Sequence, residues 1–210
     1  MKKIIGSFAI ALLCGCIATN DNVEVNSADS GSLAMDFGRY TVRIDQQFKY
    51  IGDISDKAVL NDIQESKNPR FFIKAYLFID SSHDGHDLKK MVMVIDTQLP
   101  HPEDHYHGEM DYAKSKLSNM VRAGYTDLGD VRVAYSIQRI NEYSVETAML
   151  AKFAEEKGYQ MNAGGKNAAY IRYGKVIGMS RMLQIHYAET GNEDVMEFYG
   201  KSKSRVGFEK

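Results

Sequence analysis

Cysteine is nearly absent from this sequence. The 210 residues contain two cysteines, Cys14 and Cys16, and both stand within the first sixteen positions. Residues 17–210 therefore contribute no disulfide, no catalytic thiol and no cysteine ligand for zinc. Thiol chemistry is excluded from the function of this part of the chain.

Basic tracts, tryptophan and membrane-length apolar runs are also missing. Lys and Arg number 26 against 28 Asp and Glu, which gives a formal net charge of −2, and the basic residues form no cluster. Since nucleic-acid binding depends on clustered Lys and Arg, this balance argues against nucleic acid as the main partner. The absence of tryptophan disfavours a sugar-stacking platform, although the 13 tyrosines retain that capacity.

The first sixteen residues have the pattern of an export signal. Lys2 and Lys3 precede an apolar run at residues 4–13, which is too short to span a bilayer, since that takes about 20 residues. Residues 13–16 (Leu-Cys-Gly-Cys) resemble the lipobox of bacterial lipoprotein precursors, in which an apolar, a tolerant and a small position precede the acceptor cysteine. This resemblance covers residues 1–16 and implies cleavage after residue 15 and lipidation of Cys16. An ordinary cleaved signal with two incidental cysteines is the alternative.

The resemblance implies a place on a membrane. Two or more acyl chains anchor a protein stably, whereas one binds only marginally. Ile17, and not Asp, follows the acceptor, which in Gram-negative lipoproteins favours the outer membrane. We therefore expect a lipid-anchored envelope protein that faces the periplasm. Removal of Lys2 and Lys3 with the signal would change the net charge from −2 to −4.

The remainder divides into a lead-in and one domain. Residues 16–38 hold few apolar side chains and no periodicity, so they predict a flexible tether behind the lipidated cysteine. Residues 39–210 are long enough for a single globular domain with a real core.

Strand patterns recur through residues 39–210. Alternation of apolar and polar residues is typical of a half-buried strand, and the nearly continuous apolar run 71–79 is typical of a central one. The predicted strands are residues 40–45, 48–54, 71–79, 91–96, 131–138, 168–173 and 176–188. The last two are expected to form a hairpin that turns at Gly174-Lys175, with Ile177, Met179, Leu183, Ile185 and Tyr187 sharing one face and His186 on a polar, exposed face.

Helical spacing is found in three places. Met110, Ala113, Leu117, Met120 and Val121 fall on one helical face, with Gly124 as the expected end. A second helix is predicted from Ser144 to Gly158, and a third begins at Asn192 and carries Val195, Phe198 and Tyr199. A short helix before Pro69 is also indicated.

Together these elements predict an α+β domain. About seven strands joined mostly by short loops favour a largely antiparallel sheet with about three helices packed on it. The Mog1/PsbP-like sandwich is one such architecture and serves as a fold analogy alone.

Histidine is concentrated in two loops. His83, His86 and Asp87 lie in the first, and His101, Glu103, His105, His107 and Glu109 lie in the second. Imidazole and carboxylate are suitable ligands for zinc and similar metals. If strands 71–79 and 91–96 form a hairpin, the loops leave opposite ends of one strand, roughly 20 Å apart. A shared site is therefore not expected, and the second loop is the better candidate.

Other candidate motifs are incomplete. The glycine-rich stretch 163–167 lacks the spacing of a phosphate-binding loop, and Ser180 lacks the second glycine of a nucleophile elbow. Met91, Met93, Met179 and Met182 are interpreted as core packing and not as copper ligands. Tyr76, Tyr135 and Tyr187 are expected at the core edge with their hydroxyls outward.

The leading hypothesis is a non-enzymatic binding domain without a cofactor, held at the envelope by lipid, whose partner is another envelope protein or a small ligand. The alternative is a metal-binding or metal-dependent hydrolytic lipoprotein that uses loop 101–111.

Overall fold

The computed structural model describes residues 23–28, 32–54, 72–80, 89–99, 120–140, 155, 158–159, 168–191 and 194–210. These ranges contain eleven strands and one helix. In chain order they are β1 (Val25–Ala28), β2 (Ser32–Asp36), β3 (Thr41–Asp45), β4 (Phe48–Ile54), β5 (Phe72–Asp80), β6 (Lys90–Gln98), β7 (Met120–Leu128), β8 (Val131–Ile140), β9 (Ala168–Gly178), β10 (Arg181–Thr190), α1 (Val195–Arg205) and β11 (Val206–Glu209).

The strands form two sheets. The smaller has the order β1-β2-β3-β11, and the larger has the order β4-β5-β6-β10-β9-β8-β7. Every pair of neighbouring strands is antiparallel, and a single parallel bridge joins Gly129 to Phe208. The predicted α+β class with a largely antiparallel sheet is confirmed at this level, but the described residues contain one helix and not three.

One hydrophobic cluster takes buried side chains from both sheets and from α1. Period-2 alternation aims Val42 and Ile44 of β3 into it, together with Phe208 of β11. Tyr187 of the large sheet stacks on Phe198 of α1 with ring centroids 5.5 Å apart. Burial of each such side chain contributes about 1.5–3 kcal/mol to the free energy of folding.

Helix α1 packs against this hydrophobic cluster and contributes Phe198 to it. The Asp194 carboxylate accepts hydrogen bonds from the backbone N–H groups of Met196 and Glu197, at 2.7 and 3.2 Å. The predicted cap, Asn192, is therefore wrong. A carboxylate is favoured at this position because the helix start carries a partial positive charge. Phe198 and Ser202, four residues apart, form the buried face of α1.

Most of the strand predictions are confirmed. The predicted strands 40–45, 48–54, 71–79, 91–96 and 131–138 correspond to β3, β4, β5, β6 and β8. The expected hairpin of β5 and β6 is also confirmed, with Phe72 opposite Gln98 and Ile79 opposite Met91.

The predicted tether 16–38 is wrong for part of its length. β1 and β2 lie inside it and pair with each other, and β2 also pairs with β3. Met35 and Phe37 are fully buried in the core. Pairing to an existing sheet edge satisfies the backbone of this segment and offsets its low apolar content.

The predicted helix at residues 110–121 is wrong at its end. Met120 and Val121 belong to β7, and Gly124 lies within that strand opposite Tyr135. A Cβ at Gly124 would stand 3.2 Å from the Tyr135 ring, so the glycine makes room for the tyrosine. Pairing with β8 prevails here over helical spacing. Residues 110–119 lie outside the described residues, as do 56–70 and most of the predicted helix 144–158.

The hairpin of β9 and β10 is confirmed, but its turn is not where it was expected. The chain turns at Met179-Ser180, and Gly174 lies within β9 opposite Gln184. Met179 is exposed at the turn, so its expected place on the core face is wrong, and Ser180 is not within a strand.

Candidate ligand-binding site

Tyr76 of β5 has an unusual hydroxyl group. The side chain is 1% exposed, and the hydroxyl has no hydrogen-bond partner among the residues that the structure describes. The expectation of an outward hydroxyl is therefore wrong. Burial raises the pKa of Tyr76 above its ordinary value, and the nearby carboxylates of Asp96 and Asp53 raise it further. The group is thus a proton donor at neutral pH.

Two ion pairs stand beside this hydroxyl. Arg181 of β10 donates two hydrogen bonds to Asp96 of β6, at 2.9 and 2.8 Å. Lys74 Nζ lies 3.7 Å from a carboxylate oxygen of Asp53 in β4. All four side chains are 17–39% exposed, so solvent and small solutes reach them.

Strand register assembles these groups. Tyr76 lies opposite Asp53 on one side, and Lys74 lies opposite Asp96 on the other. Lys74 and Tyr76 are two residues apart and therefore project from the same sheet face. We call Asp53, Lys74, Tyr76, Asp96 and Arg181 the Tyr76 cluster.

Aromatic rings support the cluster. Phe37 packs edge-on against Tyr76 with ring centroids 6.1 Å apart. Lys74 Nζ lies 5.1 Å from the centroid of the Tyr76 ring, and Arg181 Cζ lies 5.9 Å from that of Phe37. These distances are within cation–π range, so the rings and the salt bridges fix each other's positions. The Tyr50 hydroxyl lies 3.4 Å from Asp53, and burial raises the pKa of Tyr50 to about 12.

The chemistry of the cluster favours binding over catalysis. The two carboxylates and two cations of the cluster give it no net charge, and each carboxylate forms an ion pair with one of the cations. The tyrosine hydroxyls keep their protons at neutral pH, so they donate hydrogen bonds and do not act as bases. Such a site presents one buried donor and a rim of fixed charges to a ligand.

A second group of polar side chains lies on the face of the large sheet opposite to that of Tyr76. The Tyr170 hydroxyl hydrogen-bonds Nδ1 of His186, and Nε2 of His186 lies 2.9 Å from Oε1 of Gln184. His186 is 2% exposed, so its predicted exposure is wrong. Burial lowers the pKa of His186 well below its ordinary value, with a further contribution from the charge of Arg172.

Neighbouring side chains extend this polar group. Cross-strand register places Arg172 next to His186 and opposite Ser136, and Gln138 lies two residues further along β8. All are buried. Ser136 Oγ and Gln138 Nε2 have no hydrogen-bond partner within the described ranges. Because the group is enclosed, it is less accessible to a ligand than the Tyr76 cluster.

A shallow groove of about 290 Å³ lies where β3 meets β11. Its charged side chains are joined in ion pairs: Arg43 with Glu209, and Arg205 with Asp45 at 2.9 Å. Buried polar atoms without partners are found at the Tyr76 cluster and not in this groove, which makes the cluster the better candidate.

The sequence-predicted site residues lie outside the described residues. They are Cys16, His83, His86, Asp87, His101, Glu103, His105, His107 and Glu109, and the glycine-rich stretch 163–167 lies outside as well. Within the described part of the chain, no group of three or more His, Asp or Glu side chains is arranged to hold a metal ion. Met91, Met93 and Met182 are buried in the core, as interpreted.

Sequence reasoning missed the Tyr76 cluster because its members come from four strands spread over 129 positions, from Asp53 to Arg181. No local spacing connects them. One signal was available: Lys74 interrupts an otherwise apolar strand, and a charge within a central strand needs a partner.

Comparisons with known proteins add little. No family model and no curated protein matches the sequence. A solved structure from Bacteroides thetaiotaomicron VPI-5482, determined at 1.50 Å resolution, is 7% identical, with a TM-score of 0.41 over 82% of this chain. The chain spans about half the length of that protein, 46%. Neither a fold family nor a function follows from a likeness at this level, and the Mog1/PsbP-like analogy finds no support.

Among the described residues, no helix is both long and apolar enough to cross a membrane.

Proposed function

We propose that the chain is a lipid-anchored cell-envelope protein whose folded domain binds a small polar ligand without transforming it. The lipobox-like residues 13–16 support the anchor on Cys16, and Ile17 after it supports the outer membrane, facing the periplasm. The Tyr76 cluster supports the binding role. Paired carboxylates and protonated tyrosines offer contacts for a ligand and no activated nucleophile.

One observation carries the binding proposal: the Tyr76 hydroxyl is buried without a partner among the described residues. A buried hydroxyl that lacks a hydrogen bond costs about 1–3 kcal/mol. A ligand oxygen that accepts this hydrogen bond would offset the cost in the bound state. Because the cluster carries no net charge, a neutral or zwitterionic ligand fits it best.

The binding proposal is tested by removing that hydroxyl. We expect a panel of single sugars, polyols and zwitterionic amino acids, screened by protein NMR, to contain binders that shift the signals of Lys74 and Asp96. Tyr76→Phe should weaken their binding about tenfold, which corresponds to about 1.4 kcal/mol. It should also leave the unliganded protein as stable as before, or more so, because the unpaired donor is gone.

Tyr125→Phe is the matched control, since Tyr125 is exposed on β7, and we expect unchanged binding. Binders with equal affinity for wild type and Tyr76→Phe would refute the proposed site. A panel without a binder that perturbs the cluster would refute the ligand class.

Substitution of each of the two cysteines tests the lipid anchor. Cys16→Ser should abolish labelling by radioactive palmitate and leave an unprocessed precursor, whereas Cys14→Ser should be labelled as wild type. Labelling that survives Cys16→Ser would overturn the lipid assignment.

Ile17→Asp should shift the protein from the outer to the inner membrane in fractionation, and an inner-membrane wild type would contradict the sorting proposal.

Metal binding by loop 101–111 is a second proposal, favoured by His101, His105 and His107 within seven positions. Glu103 and Glu109 would complete a zinc site. The test is the metal content of protein purified without a histidine tag, together with a zinc titration followed by melting temperature. A protein that contains no metal and whose melting temperature does not change at micromolar zinc would refute this proposal.

A further inference from the structure

The folded domain begins close to the proposed lipid anchor. Residues 17–22 separate Cys16 from Val23, which is the first residue that the structure describes. This stretch of chain spans at most about 25 Å, because an extended chain advances no more than about 3.6 Å per residue. Val23 therefore stays within that distance of a lipid attached to Cys16, and β1 begins at the tethered end of the domain.

The tethered end of the domain also holds the Tyr76 cluster. Val23 and Val25 are partly buried against the hydrophobic core that includes Phe37. Val25 pairs with Met35, and because β1 and β2 are antiparallel, the chain before Val25 runs in the direction that leads from Met35 to Phe37. Phe37 in turn packs on Tyr76 with ring centroids 6.1 Å apart. The start of the domain is thus connected to the cluster through Phe37.

An ion pair at the far end of the same sheet provides the contrast. Lys90 of β6 lies 3.4 Å from Glu189 of β10. The same two strands contribute Asp96 and Arg181 to the Tyr76 cluster. The extended strand between Lys90 and Asp96 is about 20 Å long. The cluster is therefore near the tether, and the Lys90–Glu189 pair is remote from it.

The two ion pairs of the cluster differ in how closely they are joined. Arg181 holds Asp96 by two hydrogen bonds of 2.9 and 2.8 Å. Lys74 Nζ is 3.7 Å from the carboxylate of Asp53, which exceeds the length of a hydrogen bond. The Asp53 side chain is also the most exposed of the four, at 39%. The Lys74–Asp53 pair can therefore separate to admit a ligand, whereas the Arg181–Asp96 pair stays as a fixed support.

Separation of this pair leaves a cation and an anion beside the buried Tyr76 hydroxyl. Lys74 Nζ lies 5.1 Å from the centre of the Tyr76 ring, so the ammonium and the hydroxyl would both donate hydrogen bonds to an anionic oxygen of the ligand. Asp53 would accept hydrogen bonds from a ligand ammonium. A ligand that satisfies all three must carry both charges within one small group. A phosphodiester of ethanolamine has this arrangement, with its ammonium two carbons away from a phosphate oxygen.

We infer that the Tyr76 cluster takes up the headgroup of a zwitterionic phospholipid, a phosphodiester with a primary ammonium, from the membrane that holds the anchor. Lys74 and Tyr76 would contact the phosphate and Asp53 the ammonium, so the headgroup is the ligand class of the proposed binding function, on which this inference rests. The short tether favours a membrane lipid over a free solute, because it keeps the headgroups at a high effective concentration. An anionic lipid without an ammonium would leave Asp53 facing a like charge.

The placement of the cluster is tested with the mature lipidated protein in nanodiscs. Mass spectrometry first establishes the lipid on Cys16, which tests the anchor by itself. A gadolinium-chelating lipid in the nanodisc should broaden the amide NMR signals of Phe37 and Lys74 more than those of Lys90 and Glu189, because paramagnetic broadening falls steeply with distance. Equal broadening at both ends, or stronger broadening at Lys90 and Glu189, overturns the inference.

The headgroup is tested with nanodiscs of phosphatidylglycerol, with and without phosphatidylethanolamine. We expect phosphatidylethanolamine to shift the amide signals of Lys74 and Asp96 and to leave that of Lys90 unchanged. Soluble glycerophosphoethanolamine should shift the same two signals in nanodiscs of phosphatidylglycerol. It should bind at least about tenfold more weakly when phosphatidylethanolamine is present, because the lipid then occupies the site.

Two variants test the individual contacts in titrations with glycerophosphoethanolamine in nanodiscs of phosphatidylglycerol. Tyr76→Phe and Asp53→Asn should each weaken binding at least about tenfold, because each removes a hydrogen bond to a charged group of the ligand. Glu189→Gln, at the far end of the sheet, is the matched control and should leave binding unchanged. The amide spectrum shows whether each variant is folded.

The outcomes distinguish a wrong ligand from a wrong site. Soluble ligands that bind the cluster equally well in both kinds of nanodisc would overturn the lipid inference and leave the proposed binding site standing. A cluster that neither the lipid nor any soluble ligand perturbs would refute the inference and the proposed site together.

Discussion

The hydroxyl of Tyr170 donates its hydrogen bond to Nδ1 of His186, on the buried second face of the large sheet. The direction follows from the other ring nitrogen, because Nε2 faces the carbonyl oxygen Oε1 of Gln184, which only accepts. Nε2 therefore carries the proton, and Nδ1 accepts. Both ring nitrogens are satisfied by the neutral form, which agrees with the lowered pKa of His186.

The first prediction is a pH dependence of stability. His186 has a depressed pKa in the folded protein and an ordinary one of about 6.5 when unfolded. The unfolded chain therefore binds the proton more readily, so the free energy of unfolding should fall as the pH drops below about 6.5 and stay level above it. Urea denaturation at steps from pH 7.5 to pH 5 measures this slope.

His186→Gln is the control for that slope, since it removes this imidazole and leaves the five other histidines of the sequence in place. The substitution should flatten the dependence between pH 5 and pH 6.5. An identical slope in both proteins would show that His186 does not contribute to it.

The second prediction concerns Gly129, which has a φ of +68° and bridges to Phe208. An added Cβ would lie 2.2 Å from the Phe208 carbonyl oxygen, a backbone atom. Gly129→Ala should therefore lower the free energy of unfolding by more than the roughly 1–3 kcal/mol of backbone strain alone. Gly38 has a φ of +85° and open space around it, so Gly38→Ala measures the strain without the clash. Equal effects of the two substitutions on urea unfolding would contradict the close approach.

The third prediction separates two candidate caps of α1. Asp194→Ala should cost about 0.5–2 kcal/mol of stability, because it removes the acceptor for two backbone N–H groups. Asp194→Asn should retain most of that contribution, and Asn192→Ala should change stability by less than about 0.5 kcal/mol. A larger loss for Asn192→Ala than for Asp194→Ala would move the cap back to the position that the sequence suggested.

Sequence patterns predicted the strands whose side chains alternate into the core. The alternation in β3 and β8 predicts the positions that enter the core, whereas β6 is an apolar run buried on both faces, as is typical of a central strand. β1 and β2 were missed because their short, polar sequences gain stability from pairing, β1 with β2 and β2 with β3, which a local pattern does not show. β7 was missed because Met120 and Val121 also fit a helical repeat.

The candidate site was harder to predict from the sequence than the fold. Asp53, Lys74, Tyr76, Asp96 and Arg181 become neighbours only through the order of β4, β5, β6 and β10, and that order is a property of the whole sheet. Composition identified the histidine-rich loops because their residues are adjacent in sequence. A site assembled across strands leaves no such local signal.

The last prediction concerns the contact between α1 and β9. Ser202 Oγ lies 2.6 Å from the Tyr173 hydroxyl and 2.8 Å from the backbone oxygen of Tyr199. A carbonyl oxygen only accepts, so Ser202 donates to Tyr199 and the Tyr173 hydroxyl donates to Ser202. Ser202→Ala leaves the buried Tyr173 hydroxyl without this acceptor and should cost about 1–3 kcal/mol. Tyr173→Phe leaves Ser202 bonded to Tyr199 and should cost less, about 0.5–1.5 kcal/mol.

The double variant distinguishes this hydrogen bond from independent packing effects. Once Ser202→Ala has removed the acceptor, the Tyr173 hydroxyl is an unpaired donor, so its removal by Tyr173→Phe should recover stability. We therefore expect the double variant to lose less than Ser202→Ala alone, so that its loss is smaller than the sum of the single losses by more than the whole Tyr173→Phe loss, a coupling typical of residues in contact. Urea unfolding of the four proteins gives the coupling directly. Additive losses would mean that the Tyr173 hydroxyl finds another acceptor when Ser202 is replaced, and that this hydrogen bond does not hold α1 against β9.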